Sequence, residues 1–187
     1  VLLIKKKSIH RSSLTIATSS PRRRFYLRHL REFLPNKKLK SNSIRGNITT
    51  RLEKIILSNK HDGVFMAKAA IDRVFQYGQK INNKEFQKFR KYFNQFEYII
   101  LPLSNFPAAA AQGCIALEYS AKNRKLDNIL QSINDPHSFH QAQLERKFLS
   151  RWGGGCALDI GVTVESFLDQ QILFARGKDE HTKKYLS

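Results

Sequence analysis

The chain has 187 residues, of which 41% are hydrophobic and 26% charged, so it is long enough for one or two globular domains with buried cores. It carries 33 lysines and arginines against 15 acidic residues, and the formal net charge of +18 predicts an anionic partner. No apolar run reaches the ~20 residues that span a membrane, and two cysteines are too few for a disulfide framework.

Two strand-helix units are predicted in the first sixty residues. A strand at residues 14–18 leads to Ser20, a good N-cap, and to Pro21, which fits the first position of a helix that ends before the next proline. A second strand, at residues 39–44, is followed by Asn47, which can cap another helix. Apolar residues in both helices share one face, as expected for helices packed on a sheet.

The alternation of strands and helices continues to residue 101. Residues 63–67 form a third predicted strand, 69–77 a helix, 82–96 a polar and aromatic helical segment and 98–101 a short strand. This alternation indicates an α/β fold with a mixed, mostly parallel sheet. In such folds, ligands bind beyond the carboxyl ends of the strands.

The second half of the chain is predicted to be a linker followed by a smaller unit. The linker covers residues 103–111 and leads to a strand at 114–119. Helices are predicted at 124–132 and 136–150, and strands at 158–164 and 171–175. Residues from about 134 onward are therefore interpreted as a partial, small α+β C-terminal domain.

Arginines cluster at the first two predicted helix starts. Arg22 and Arg23 lie in the first turn after the hydroxyl-rich run Thr18-Ser19-Ser20, whereas Arg45 precedes the second helix and Arg51 lies one turn inside it. A guanidinium makes two parallel, charge-assisted hydrogen bonds to a carboxylate. Since the carboxyl ends of parallel strands share one sheet edge, the pattern predicts a ligand with several carboxylates there.

One cysteine, Cys156, directly follows three glycines at 153–155. Glycines allow backbone conformations that other residues rarely adopt, so the run suits an exposed thiol on a shaped turn, with a merely flexible connection as the alternative. Neither cysteine has the spacing of a metal site, and no metal is assigned. His137 and His140, on one face of a predicted helix, are expected to be exposed to solvent.

Seven short motifs follow one another from Thr18 to Gly161. They are Thr18-Ser19-Ser20-Pro21-Arg22-Arg23, Arg45-Gly46-Asn47, Thr50-Arg51-Leu52, Gln112-Gly113, Glu145-Arg146, Gly153-Gly154-Gly155-Cys156 and Ile160-Gly161. Each motif alone is weak, but the ordered set is specific. It resembles the porphobilinogen deaminase family, whose members are also called hydroxymethylbilane synthases.

The resemblance implies a transferase of tetrapyrrole and haem biosynthesis. Such enzymes join four porphobilinogen units, with loss of ammonia, to a dipyrromethane cofactor and release hydroxymethylbilane. The resemblance implies a thioether between the cofactor and Cys156, and further cofactor contacts from Thr18, Ser20, Arg22, Arg23, Arg45, Arg51 and Ala67. It places Arg73 and Gln112 at the substrate, and it implies a monomer when the protein is complete.

The resemblance also implies a domain organisation. Residues 1–104 match a periplasmic-binding-protein-like second domain, 105–133 a hinge, crossover strand and helix that would pair with the missing first domain, and 134–187 part of the C-terminal domain, which bears the cofactor cysteine. The family's first domain, which supplies the catalytic aspartate, has no counterpart here, so the chain is expected to be a fragment and no catalytic residue is assigned.

Three residues depart from the family pattern. Ala111 replaces a glycine, Lys68 replaces a small residue, and Asp159 follows the cysteine where proline is common. The side chains of Lys68 and Asp159 are expected to alter the charge of the pocket.

Two further hypotheses are kept. One is a non-catalytic relative that retains the fold, and the other is a basic nucleic-acid-binding module with residues 5–7, 22–24 and 37–40 as phosphate contacts. The chain has no zinc finger, basic heptad helix or RNA-binding aromatic pattern, so nucleic acid is the less favoured partner. No membrane partner is expected, and the low cysteine content predicts a reducing compartment, either the cytoplasm or, as the open alternative, an organelle.

Overall fold

Five strands form a mixed sheet in the first half of the chain. The computed structural model describes residues 1–35, 37–152, 159–178 and the backbone of 185–186. The strands, in the spatial order β3-β2-β4-β1-β5, are β1 (Leu2–Lys5), β2 (Ser13–Ala17), β3 (Lys38–Asn42), β4 (Gly63–Phe65) and β5 (Phe96–Ile99). Strand β2 is parallel to β3 and β4, and β1 is antiparallel to β4 and β5, so four of the five strands point the same way. This confirms the predicted mixed, mostly parallel sheet.

Helices cover both faces of this sheet. They are α1 (Pro21–Tyr26), α2 (Leu30–Phe33), α3 (Ile48–Leu57), α4 (Lys68–Ile81) and α5 (Lys84–Phe93). Because side chains alternate along a strand, Leu2 and Ile4 of β1 pack in the core that contains α1 and α2, whereas Leu3 packs in the core of α3, α4 and α5. None of the described helices is both long and apolar enough to cross a membrane.

The helix predicted after Pro21 is divided into α1 and α2. At the division, the amide of Leu27 donates to the carbonyl of Arg24 at 3.2 Å and the amide of Arg28 to that of Phe25 at 3.2 Å. These bonds span three residues instead of four, so the chain tightens into a turn of the 3₁₀ kind. The prediction of one continuous helix was therefore wrong, although its start and its apolar face are confirmed.

A second, smaller unit contains the C-terminal elements. They follow helix α6 (Asp127–Ile133), which has no buried residue, and are α7 (Pro136–Ser150), β6 (Gly161–Phe167), β7 (Gln170–Lys178) and β8 (Tyr185–Leu186). The strands form an antiparallel sheet in the order β6-β7-β8, and α7 packs against β6.

The strand predicted at residues 114–119 was wrong. This segment has no regular secondary structure, and Ile115 and Leu117 are 77% and 61% exposed. An alternating pattern predicts a strand only if another backbone lies alongside to pair with it. No pairing partner for this segment occurs among the described residues.

A linker strut, residues 107–111, joins the two units. The carbonyl of Pro107 accepts hydrogen bonds from the Arg22 guanidinium at 2.9 Å and from the Tyr26 hydroxyl at 2.8 Å. On the other side, the Val162 amide donates to the Ala108 carbonyl at 2.8 Å, and the Ala108 amide donates to the Thr163 hydroxyl at 2.7 Å. The strut therefore connects α1, the helix of Arg22, directly to β6 of the smaller unit.

At the opposite end of the large sheet, Asp62 is buried among hydrogen-bond donors. Its carboxylate accepts from the Ser8 hydroxyl at 2.7 Å, from Arg11 at 2.8 Å and from the Thr15 amide at 2.9 Å. Burial alone would raise the pKa of Asp62, but the Thr15 amide, the Ser8 hydroxyl and the Arg11 charge lower it below its usual value. The ionised form therefore stabilises the fold.

Replacing Asp62 with asparagine is expected to reduce the free energy of unfolding at pH 7 by about 2 kcal/mol, because three hydrogen bonds lose a charged acceptor. Since the folded-state pKa is depressed, this contribution is present above the unfolded value near 3.8 and disappears as the pH falls through the folded value. Urea unfolding at pH 7 and pH 3 measures both effects.

Asp72→Asn is the control for this experiment. Its carboxylate forms an exposed pair with Lys68, and its replacement is expected to change stability by less than about 0.5 kcal/mol. An Asp62→Asn effect of equal size at both pH values would contradict the assigned role of the charge.

Candidate functional site

Three parallel strands end at one edge of the sheet, and a helix begins after each of them. Helices α1, α3 and α4 follow β2, β3 and β4, and their N-cap residues are Ser20, Asn47 and Ala67. Exposed amides at helix starts carry partial positive charge and favour anions. The ligand-binding edge predicted from the sequence is thus formed by three strand-helix units, β2-α1, β3-α3 and β4-α4.

Hydroxyl groups join the first two turns. The Ser19 hydroxyl donates to the Ile44 carbonyl at 2.7 Å and accepts from the Ile44 amide at 3.0 Å. The Thr18 hydroxyl accepts from the Ser20 amide at 3.2 Å, and the Ser20 hydroxyl accepts from the Arg23 amide at 3.4 Å. The hydroxyls of Thr18 and Ser20 therefore stabilise the turn that presents the arginines.

Arg23 crosses from α1 to the end of β4. Its guanidinium donates to the Phe65 carbonyl at 3.0 Å. Burial, together with the smaller effect of the like charges of Arg22 and Arg51, lowers the pKa of Arg23 to about 10. Arg22 and Arg51 therefore lie close enough for their charges to act on Arg23, and we call these three residues the arginine cluster.

Arg22 is buried on the linker side of the same helix. Its guanidinium donates to the Pro107 carbonyl, and its central carbon lies 5.6 Å from the centre of the Tyr26 ring, one helical turn away. This cation–π contact and the hydrogen bond hold the charge in place away from bulk water. Arg22 thus contacts the linker strut while belonging to the arginine cluster.

Arg51 and Arg45 occupy the second turn. The Arg51 Nε donates to the Gly46 carbonyl at 2.7 Å, whereas Arg45 is exposed and its carbonyl accepts from Lys54 at 3.0 Å. Gly46 has φ of 128°, and a Cβ there would lie 2.9 Å from a carbon of Thr50. Only glycine fits both the conformation and the space, which fixes the turn that carries Arg45.

The arginine cluster has no carboxylate partner among the described residues. The ion pairs of this part of the chain involve other groups, such as Arg11 with Asp62 and Lys88 with Glu53. The guanidinium groups of the cluster instead donate to backbone carbonyls, each leaving further N–H donors. Unbalanced positive charge at a sheet edge with helix starts favours a ligand that carries several negative charges.

The remaining predicted site residues lie outside these contacts. Ala67 caps α4 through its backbone, Arg73 is exposed on α4, and Gln112 is exposed after the linker strut. Lys68, whose charge was expected to alter the pocket, forms an ion pair with Asp72 at 2.7 Å. Cys156 and the glycines before it lie outside the described residues.

Sequence reasoning did not select Tyr26 or Pro107. Tyr26 is 2% exposed, and burial raises the pKa of its hydroxyl to about 12. The spacing of Arg22 and Tyr26, four residues apart on a helix, was the signal for their contact. No sequence pattern indicated that a proline carbonyl eighty residues later would accept from both side chains.

Comparison with known proteins gives one consistent family. A family model described as porphobilinogen deaminase, dipyromethane cofactor binding domain, matches residues 1–128. The chain is 36% identical over 169 residues to porphobilinogen deaminase of Clostridium novyi, covering 90% of this chain and 50% of that protein. It is 34% identical over 163 residues to a probable porphobilinogen deaminase of Picrophilus torridus, covering 86% and 49% of the two chains. A probable porphobilinogen deaminase of Saccharolobus islandicus is 30% identical over 163 residues, with 86% and 47% covered. The chain thus spans about half the length of the curated relatives that it matches.

Proposed function

The chain belongs to the porphobilinogen deaminase family, since the matching model covers residues 1–128, and we propose that its arginine cluster holds the carboxylates of a dipyrromethane cofactor. We further propose that the whole protein condenses four porphobilinogen units, with loss of ammonia, and releases hydroxymethylbilane. The single observation that carries the proposal is the cluster of guanidinium groups without a carboxylate partner in the described chain.

The residues at the sheet edge fit such a group. Its pyrrole rings carry acetate and propionate side chains, and each carboxylate can accept two parallel bonds from an arginine. The helix starts at Ser20 and Asn47 add favourable partial charge. When bound, the dipyrromethane supplies the carbon atom to which substrate is joined.

We assign the individual contacts as follows. The carboxylates are bound by Arg22, Arg23, Arg45 and Arg51. Further cofactor contacts come from the hydroxyls of Thr18 and Ser20 and from the backbone of Ala67. The substrate is contacted by Arg73 and Gln112. Cys156 is the covalent anchor, because a thiolate attacks carbon electrophiles readily and a thioether resists hydrolysis. In this proposal residues 1–104 supply the arginines, residues 105–133 the hinge, and residues 134–187 the anchor.

The proposal is tested on the complete product of the gene, purified from its native host. Intact-mass spectrometry is expected to show an added mass equal to two linked pyrrole units, and incubation with porphobilinogen is expected to release ammonia. A protein of unmodified mass that releases no ammonia from porphobilinogen would reject the proposed function.

Arg23→Met is expected to reduce porphobilinogen turnover at least tenfold. Methionine keeps much of the aliphatic volume but removes a charged donor, and one charge-assisted bond contributes about 1.5 to 3 kcal/mol. Arg24→Met is the matched control, because Arg24 is the next residue on the same helix and is exposed. Steady-state rates of porphobilinogen turnover are measured for both variants. Equal rates would contradict the assignment of Arg23 to the site.

A further inference from the structure

Glu145 is a buried acid on α7 whose two oxygens bind two separated parts of the backbone. Its Oε2 accepts from the Ala111 amide at 2.6 Å, and its Oε1 accepts from the Val164 amide at 2.8 Å. The residue is only 8% exposed. One carboxylate therefore joins helix α7, the end of the linker strut and strand β6.

The negative charge of Glu145 is held by backbone amides. The described residues place no lysine, arginine or histidine within ion-pair distance of it. A buried charge is tolerated when hydrogen bonds replace its lost hydration. The two amides reach different oxygens of Glu145, and a carboxylate offers an acceptor at both positions, whereas an amide side chain has an acceptor oxygen at one and an NH₂ donor at the other.

The Ala111 amide lies at an unusual point of the backbone. Ala111 has φ of 57°, a left-handed conformation that favours glycine, and Gly113 follows with φ of 102°. The hydrogen bond to Glu145 holds Ala111 in this conformation. The turn that contains Gln112 is thereby fixed on one side by α7 and on the other, through the linker strut, by Arg22 and Tyr26 of α1.

We infer that Glu145 is a positioning residue, whose carboxylate fixes the turn of Gln112 and strand β6 relative to the arginine cluster. In sequence, Cys156 lies between α7 and β6, the two elements that Glu145 joins. Its effect on catalysis rests on the proposed function, while its hydrogen bonds are independent of that function.

The hydrogen bonds are tested first in the unaltered chain. In perdeuterated protein labelled with ¹³C and ¹⁵N, scalar couplings across hydrogen bonds are expected between the Glu145 carboxyl carbon and the amide nitrogens of Ala111 and Val164. Detection of neither coupling, together with rapid exchange of both amide protons, would overturn the inference without requiring any variant to fold.

Glu145→Gln tests the need for two acceptors. Glutamine can keep one amide bonded, but its own NH₂ group then faces the other amide, so exchange at Ala111 or Val164 is expected to accelerate at least tenfold. Glu165→Gln is the matched control, because Glu165 is exposed on β6, and both amides are expected to keep wild-type exchange. Unchanged protection of both amides in Glu145→Gln would overturn the inference.

Measurements of porphobilinogen turnover distinguish a positioning role of Glu145 from a role in stability alone. At a temperature where circular dichroism shows Glu145→Gln fully folded, its KM for porphobilinogen is expected to rise at least fivefold with covalent loading unchanged. Wild-type KM in this variant would reject the positioning role while leaving the proposed function intact. If the wild-type protein itself fails to turn over porphobilinogen, the proposed function fails and the amide measurements alone decide the role of Glu145.

Discussion

Cys156→Ser is expected to leave the complete protein without any covalently bound pyrrole, and porphobilinogen turnover is expected to fall to background. A serine hydroxyl is almost entirely protonated at neutral pH and is a much weaker nucleophile toward carbon than a thiolate. Intact-mass spectrometry measures the effect directly, because wild-type protein carries the added mass and the variant does not.

Cys114→Ser is the matched control for this substitution. Cys114 is exposed, and its sulfur lies 3.9 Å from the Ser138 carbonyl, a weak contact whose loss has little effect. This variant is expected to retain full loading. Persistence of the added mass in Cys156→Ser, or its loss in Cys114→Ser, would show that the anchor was assigned to the wrong residue.

Gly161→Ala is expected to destabilise the protein by about 3 kcal/mol, which lowers the melting temperature by roughly 10 °C. A Cβ at this position would overlap the Tyr26 hydroxyl and the Pro107 carbonyl, and would lie 3.0 Å from the Ala108 carbonyl. Because the backbone of the linker strut shifts only at a large cost in free energy, the first residue of β6 must move away from the strut. Urea unfolding of the variant measures the loss.

A double-mutant cycle identifies the cause of that loss. Tyr26→Phe alone is expected to lower the free energy of unfolding by about 1 kcal/mol, because the hydrogen bond to the Pro107 carbonyl is lost. In Gly161→Ala with Tyr26→Phe, one of the overlapping atoms is absent, so the combined loss should be smaller than the sum of the two single losses. Strict additivity would contradict the assigned contact.

The elements with local signals were predicted well. Ser20 with Pro21 and Asn47 with its apolar stripe marked the starts of α1 and α3, and both N-caps are confirmed by their side-chain hydrogen bonds. The signals are local because a cap and its helix lie within a few residues of each other. Strand β1 was missed, since its four buried residues acquire their role only from β4 and β5, far along the chain.

The candidate site was predictable to a similar degree. Arginine positions and helix starts are properties of short segments, so the convergence of Arg22, Arg23 and Arg51 followed from the parallel sheet. The linker strut and the role of Glu145 depend on backbone amides of residues that are far apart in the sequence. Because the backbone amide does not depend on the type of side chain, the sequence does not indicate which amides form these hydrogen bonds. The strand expected at residues 114–119 was wrong for the same reason, because strand formation depends on a remote partner.

The position of β1 has a consequence for how the protein folds. Although it comes first in this chain, β1 lies between β4 and β5, so the interior of the sheet closes only when residues 63–65 and 96–99 have reached it. Closing such long loops costs entropy before any contact is gained, which slows folding. Until then, Leu2, Leu3 and Ile4 form an apolar segment with unpaired backbone that other chains can join. Truncation anywhere before residue 99 therefore removes a partner of β1 and favours aggregation over a smaller stable sheet.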